Sequence, residues 1–421
     1  MKLDALINAQ DHAAQFMIDD ITKVCTTMPK RNPGSEGEKQ ACEYFEKLCL
    51  EEYGCDEAHV ESFEEHPWSF FGWMWITFTM TIIAAILVII QKPVLAVIAI
   101  VLTVLGWALC ITQFGLYWKV VDFIFPKETG HSMWAVKKPK GEVKQRVLFN
   151  GHVDAVWEWP ANYLGGGVLF EGLIVVAAIG TLYYLALAIM ILAGVSAALI
   201  HTMALWGIIF IPFEIYMFFM WSWWGDPTGK TKPSHIVDGA NDNLSGCYIG
   251  LAILKELKEQ GIDLEHTEVG VMLAGSEEAG LRGSLAWAEK HQHDFDDVPT
   301  YIYSYDTIFD PKYLMANYRD LNGTTKTDKG LNDLFMQSAE ELGIHCIHGW
   351  VPPLGGATDT AAFTKYGFRC GGVTGLNHNL QNYYHTRRDT YDNMNKQGLG
   401  ECYAVSVKCL EHIENQDWEG K

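Results

Sequence analysis

Glu268-Val269-Gly270-Val271-Met272-Leu273-Ala274-Gly275-Ser276-Glu277-Glu278 reads as a buried strand running into a turn that carries two adjacent carboxylates. The apolar run shows no polar alternation, which marks a strand covered on both faces. Working outward, Leu244 to Gln260 has the apolar spacing of a helix, and Gln145 to Asn150 reads as a strand entering Gly151-His152. Thr300 to Tyr305 reads as a further strand ending at Asp306. Toward the amino terminus, Asp11 to Cys25 and Glu36 to Glu52 have helical periodicity, with Ser35 as a cap. Ala58 to Phe63 and Ser132 to Lys137 add two more strands. Strands alternating with helices predict an α/β fold, a mostly parallel central sheet flanked by helices. In such sheets ligands bind beyond the carboxyl ends of the strands. His152, Glu277, Glu278 and Asp306 all fall at such ends, which places them in one site.

Two apolar blocks interrupt this pattern. From Trp68 to Trp118 the only charged residue is Lys92, and Gln91-Lys92-Pro93 divides the block into two stretches of about 22 residues, each long enough for a bilayer. From Leu173 to Trp224 the pattern recurs around a turn placed near Ser196 to Thr202, with Glu214 as the one acidic residue inside. Trp, Phe and Tyr cluster at the ends, as in an aromatic belt. The expectation is four transmembrane helices inserted as two hairpins, 68–118 and 168–224, into a discontinuous catalytic domain of 1–67, 119–167 and 225–421. Removing the blocks leaves about 310 residues, enough for one large α/β domain.

The formal charge of −20 argues against a nucleic-acid partner. Met1 to Lys30 lacks a basic start followed by an apolar core, so no secretory leader is expected. Lys119, Lys127, Lys230 and Lys232 flank one side of the hairpins, while Lys92 and His201 fall in the opposite turns. That bias predicts an integral membrane protein with both termini and the catalytic domain in the cytoplasm. Ten cysteines without a CxxC pair read as reduced, mostly buried thiols.

In chain order the residues able to bind metal or move protons are His152, Asp242, Glu277, Glu278, Asp306 and His385. They fall in Gly151-His152-Val153-Asp154, Gly239-Ala240-Asn241-Asp242-Asn243-Leu244-Ser245-Gly246, Gly275-Ser276-Glu277-Glu278-Ala279-Gly280-Leu281-Arg282-Gly283-Ser284 and Tyr384-His385-Thr386. These motifs, in this order, resemble the M28 metallopeptidases, mostly zinc-dependent aminopeptidases with some carboxypeptidases. The resemblance covers nearly all of the chain outside the apolar blocks, which are departures from the family pattern.

The resemblance implies a zinc-exopeptidase-like fold and a site for two Zn2+ ions. Asp242 would bridge them, His152 and Asp306 would complete one, Glu278 and His385 the other, and Glu277 would remain as general base. His, Asp and Glu ligands without Cys suit zinc, with Co2+ or Mn2+ able to substitute. Tyr384 resembles the tyrosine that hydrogen-bonds the developing oxyanion. A cis Asp242–Asn243 peptide bond is also implied, and Asp359 in Ala357-Thr358-Asp359-Thr360 is expected either to support the pocket or to cap a helix. Asp154, two residues past His152 on the same side of an extended segment, is placed to accept the other imidazole N–H and fix the ring.

The favoured reading is a membrane-anchored di-zinc exopeptidase acting on a peptide or amino-acid amide, an aminopeptidase in which Glu277 activates the attacking water. A carboxypeptidase, or an N-acyl amino acid amidohydrolase taking lipid-like substrates, is the alternative in the same chemistry. A non-catalytic adaptor on the same fold is disfavoured by the complete ligand set. Glu214 is expected either to stay protonated and bond a neighbouring helix through Tyr183 or Tyr184, or to line a substrate entrance from the bilayer.

Overall fold

The computed structural model describes residues 2–220, 235–377 and 379–420. It forms two compact units, one of Met1–Pro67, Lys127–Glu158 and Ile236–Lys421, the other of Trp68–Pro126 and Trp159–His235. Lys230 and Lys232 lie outside the described residues.

The first unit carries strands β1 (Glu57–Glu65), β2 (Glu128–Lys137), β3 (Gln145–His152), β4 (Thr267–Ala274), β5 (Thr300–Ile308), β6 (Leu314–Asn317), β7 (Arg319–Asp320), β8 (Thr325–Lys326), β9 (Ile347–Gly349) and β10 (Arg369–Gly375). Eight of them form a sheet in the order β1-β2-β4-β3-β5-β10-β6-β9, and β7 pairs with β8. The central β4, β3, β5 and β10 are parallel, with antiparallel β1 and β2 at one edge and β6 antiparallel to β10 at the other. The sheet is therefore mostly parallel, as the alternation of strands and helices requires.

Side-chain alternation explains why the central strands read as uninterrupted apolar runs. Val269, Val271 and Leu273, with Val147, Phe149, Tyr301, Tyr303 and Tyr305, pack under the helices Gln10–Thr27, Ser245–Glu259 and Lys396–Asn415. Met272, Ala274, Leu148 and Ile302 face the other way, onto Trp287, Phe295 and Phe363. Both faces are covered, so neither can be polar. The chain leaves β3 for β4 on one side and places β5 on the other, making the carboxyl end of β3 a switch point where a cleft opens.

Both excursions into the second unit begin and end at paired backbone. Glu65 is opposite Glu128 in the β1–β2 ladder, and Trp157 forms an antiparallel bridge with Ile236, reinforced by Val237 N–H donating to Val156 O at 3.0 Å.

The second unit has four helices long and apolar enough to cross a membrane: Ser69–Ile90, Pro93–Gly115, Pro160–Leu192 and Ala197–Phe219. The third starts well before the expected Leu173. Pro160 fits the first helical turn, and Gly166, at φ 67°, makes a kink inside the Gly165-Gly166-Gly167 run that obscured the helix in the sequence. The turn expected near Ser196 to Thr202 is earlier, at Ala193–Ser196, so His201 is helical.

Small residues let these helices approach closely: Ala84, Ala85, Ala96, Ala99, Ala188 and Ala204 are buried among them. Trp107 donates to Thr181, and Thr77 to the Gly106 carbonyl. Oriented to satisfy both its atoms, the Gln91 amide donates to Ala197 O at 3.1 Å and accepts from His201 N–H at 3.2 Å, so the two hairpin turns share one end of the bundle. The outward faces are apolar, with Ile86, Val94, Val101, Leu182, Leu205 and Trp206 all exposed.

Glu214 is fully buried in this unit, and its partners are not those expected. Tyr183 donates to Met203 O and Tyr184 to Gly207 O, so neither phenol serves the carboxyl. Both carboxyl oxygens lack a hydrogen-bond partner among the described residues, and one lies where a Cβ on Gly180 would intrude, 2.5 Å away. The two tyrosines are instead used on helix carbonyls beside the break at Ile208–Phe210.

Candidate active site

Five segments, two of them strand ends, bring the candidate residues together at the carboxyl edge of the sheet. His152 is the last residue of β3, and Glu277 and Glu278 follow β4 after Gly275 and Ser276. Asp306 lies within β5 rather than past its end, because pairing with β10 continues through Ile308. Asp242 occupies the tight turn Ala240–Leu244 ahead of the helix Ser245–Glu259, and its peptide bond to Asn243 is cis. His385 belongs to the loop between β10 and the last helix, at φ 52°. All are buried or nearly so.

Asp242 is the centre of the cluster. Its Oδ1 is 3.1 Å from His152 Nε2 and its Oδ2 is 2.9 Å from His385 Nε2. His385 Nε2 is also 3.2 Å from Glu278 Oε1, and Glu277 Oε2 is 3.8 Å from His152 Nε2. Three groups of potential ligand atoms result here, each within 4.8 Å: His152, Asp242 and Asp306; Asp242, Glu278 and His385; and His152, Glu277 and Glu278. The first two share only Asp242.

The charge balance shows whether cations fit here. Burial, reinforced by Glu278, Asp359 and Asp306, holds the Glu277 carboxyl well above its usual range despite His152. Burial and Asp242 push Asp306 up to about 7, and burial raises Glu278 as well. For His385, burial acts to lower the pKa, but Glu278 and Asp242 outweigh it and raise the imidazole to about 10. The buried Asp242 Oδ2 and Glu278 Oε1 both face the same His385 Nε2, at 2.9 and 3.2 Å, and one ring nitrogen has at most one proton to share between them. Crowded carboxylates with unmet acceptor capacity, interleaved with two imidazoles, are an N/O donor set that a divalent cation neutralises. The residues fit zinc.

Asp154 does more than expected. Its Oδ1 is 3.4 Å from His152 Nδ1, and its two oxygens also accept the backbone N–H groups of Glu277 and Glu278 at 3.0 and 3.1 Å. One carboxylate thus anchors a ligand histidine and both paired glutamates. Tyr384 is half-buried with its ring stacked on His385, centroids 4.0 Å apart. Burial, then Asp242 and Asp306, keep its phenol well above the ordinary range, so it is a hydrogen-bond donor. Asp359 is the first residue of its helix, and Thr358 is the cap that accepts from Thr360 N–H. Of the two expectations for Asp359, capping is therefore excluded.

The structure gives three further residues a supporting role that the sequence does not announce. Asp389, fully buried, accepts from Asn241 N–H (2.8 Å), the Asn241 amide (3.0 Å) and Asp242 N–H (3.2 Å), fixing the turn that presents Asp242. Asn243 Oδ1 accepts from Gly246 and Thr307 N–H, tying that turn to β5. Arg31, almost fully buried, donates to the carbonyls of Val153, Asp238 and Gly239, joining the His152 and Asp242 segments. Only Asp389 left a local trace, four residues past His385; the others act across long sequence separations. Glu214, offered as a substrate-entrance residue, belongs to the second unit.

Residues 225–410 match the model of Peptidase family M28. No curated protein matches the chain. Among solved structures, the aminopeptidase from Aneurinibacillus sp. strain AM-1 is similar at 14% identity and a TM-score of 0.54, covering 96% of this chain and 95% of that one. BSAP, a zinc aminopeptidase from Bacillus subtilis, aligns at 12% identity and a TM-score of 0.53 (95% and 94%). Porphyromonas gingivalis glutaminyl cyclase aligns at 12% and 0.53 (96% and 98%). At these identities the likeness is one of fold.

Proposed function

Residues 225–410 being a peptidase family M28 domain, we propose that this metallopeptidase is a two-zinc aminopeptidase anchored in a membrane. The observation that carries the reading is the pair of ligand triads sharing Asp242. His152, Asp242 and Asp306 would hold one ion, and Asp242, Glu278 and His385 the other. Zinc bound there supplies Lewis-acid polarisation of a carbonyl and lowers the pKa of water. Glu277 takes a proton from the attacking water and returns it to the departing amine nitrogen. Tyr384 donates a hydrogen bond to the oxygen on which charge develops. Asp154 keeps the base and its neighbour in register through their backbone amides.

The surrounding charge favours an amine over a carboxylate as the recognised terminus. Asp154, Asp306, Asp359 and Asp389 crowd the cluster, and the Arg387 guanidinium is engaged by Glu158 in two bonds of 2.6 Å. Arg31 is spent on backbone carbonyls. A free α-amino group meets favourable charge there, whereas a C-terminal carboxylate meets repulsion. A matched panel tests this: amino-acid amides and peptides with a free amine are expected to turn over, and N-acylated or amine-blocked analogues to react at least about 100-fold more slowly. Faster hydrolysis of N-acyl amino acids would move the assignment to the amidohydrolase reading, which the apolar helices favour through a lipid-like substrate.

The four helices are proposed to span the bilayer, their exposed apolar faces meeting lipid, with both termini cytoplasmic. An impermeant maleimide added outside intact cells is expected to label a Lys92→Cys variant and not Glu419→Cys. Labelling at position 419 would reverse the topology. Glu214, fully buried in its unit, is proposed to be a packing residue, so Glu214→Gln is expected to change the Tm and to affect long apolar and small chromogenic amides equally. Selective slowing of the long apolar ones would make it part of a substrate entrance.

A further inference from the structure

Beneath the paired glutamates, Ser276 Oγ lies 2.7 Å from Glu38 Oε2 and 2.7 Å from Glu65 Oε1. All three side chains are buried, and Glu38 and Glu65 come from segments outside the matched family region, the helix Glu36–Glu51 and the end of β1. A hydroxyl has one proton to give and lone pairs to accept with. It cannot donate to two carboxylates at once, so one carboxyl must carry a proton and donate to Oγ. The remaining contacts say which. Glu38 Oε1 accepts from His131 N–H at 2.8 Å, so both Glu38 oxygens face donors, while Glu65 Oε2 has no partner among the described residues. The charge belongs on Glu38 and the proton on Glu65.

We propose that Glu65, Ser276 and Glu38 form a directional hydrogen-bond chain, Glu65 O–H to Ser276 Oγ and Ser276 O–H to the Glu38 carboxylate, that positions the Glu277-Glu278 turn. Ser276 holds φ 53°; the turn is also held by Asp154 at the Glu277 and Glu278 N–H groups, by Ser132 Oγ at Gly275 N–H (3.0 Å) and by Arg282 N–H on Ser276 O (3.0 Å), while the Ser276 side chain has the two carboxyls. Glycines leave room for the buried acids: a Cβ at Gly275 would come within 2.9 Å of Glu38 Cδ, and one at Gly130 within 2.9 Å of Glu65 Oε1. Burial, the largest influence on both, raises Glu38 well above the ordinary carboxylate range and, with Arg282 opposing, Glu65 to about 8; both sites favour a proton, and it is the contacts above that assign it to Glu65. Glu38 and Glu65 are positioning residues, since neither touches the metal ligands.

The rate effect rests on the hydrolase reading; the protonation does not. Infrared difference spectra of the full chain in detergent are expected to show a protonated-carboxyl C=O band that disappears in Glu65→Gln. That variant keeps a donor toward Ser276, so its kcat stays within about threefold of wild type. Glu38→Gln cannot accept from both His131 N–H and Ser276 O–H, and leaving one donor unmet is expected to lower kcat by about 5- to 150-fold with KM and metal content unchanged. Should that variant fail to fold, Ser276→Ala is expected to show the same kcat-selective loss. A band unaffected by Glu65→Gln, or wild-type kcat in both Glu38→Gln and Ser276→Ala, overturns the proposal. If no substrate is turned over at all, the band still decides.

Discussion

Glu277→Gln is expected to lower turnover by about 10²- to 10⁴-fold while leaving metal content intact. The carboxyl belongs to neither of the triads that share Asp242, so both of the proposed ligand sets stay whole, and its backbone N–H stays on Asp154. Glutamine fills the same space but cannot accept the water's proton. Its neighbour gives the contrasting result: Glu278→Gln exchanges an oxygen 3.2 Å from His385 Nε2 for an amide and is expected to lose metal along with activity. Steady-state kinetics with elemental analysis of the same samples read both outcomes. Near-normal activity in Glu277→Gln would place the base elsewhere.

Metal stoichiometry should resolve the cluster ligand by ligand. Wild type is expected to bind two zinc ions per chain and to lose all activity on exhaustive chelation, with Zn2+ or Co2+ restoring it. Asp306→Ala, which breaks the proposed triad with His152, should retain one ion, as should Glu278→Ala, which breaks the proposed triad with His385. Asp242→Ala breaks both and should retain none. Wild type saturating at one ion, or Asp242→Ala keeping one as tightly as Asp306→Ala does, would refute the shared bridge.

Much of this site could be read along the chain because its parts are local. Apolar runs such as Val269–Ala274 announce strands buried on both faces, and a ligand at the end of such a run needs no tertiary information to be noticed. The extent of β5 was harder, since Asp306 falls inside it only because β10 continues the pairing. The helix from Pro160 was masked by three glycines that mimic a loop, and the turn before Ala197 was placed too late because His201 looked like a polar break. The roles of Asp389, Arg31 and Asn243 are not legible along the chain because their partners are chiefly backbone groups, and backbone groups leave no signature in a sequence. The surroundings of Glu214 were misjudged for the same reason: both tyrosines found helix carbonyls.

Both apolar hairpins leave the catalytic unit and return to it at residues already paired with each other, Glu65 with Glu128 and Trp157 with Ile236. Paired strand residues have Cα atoms about 4.5–5.5 Å apart, a gap that a two- to five-residue turn closes. Each hairpin therefore occupies the place of an ordinary surface turn, and its removal breaks no strand pairing in the sheet. A shortened chain joining Pro67 to Lys127 and Glu158 to Ile236 through Gly- and Asn-containing turns retains every residue assigned to the zinc site. Such a chain offers a route to the enzyme's chemistry without the apolar helices, and comparing it with the unshortened protein separates what the active site prefers from what those helices contribute.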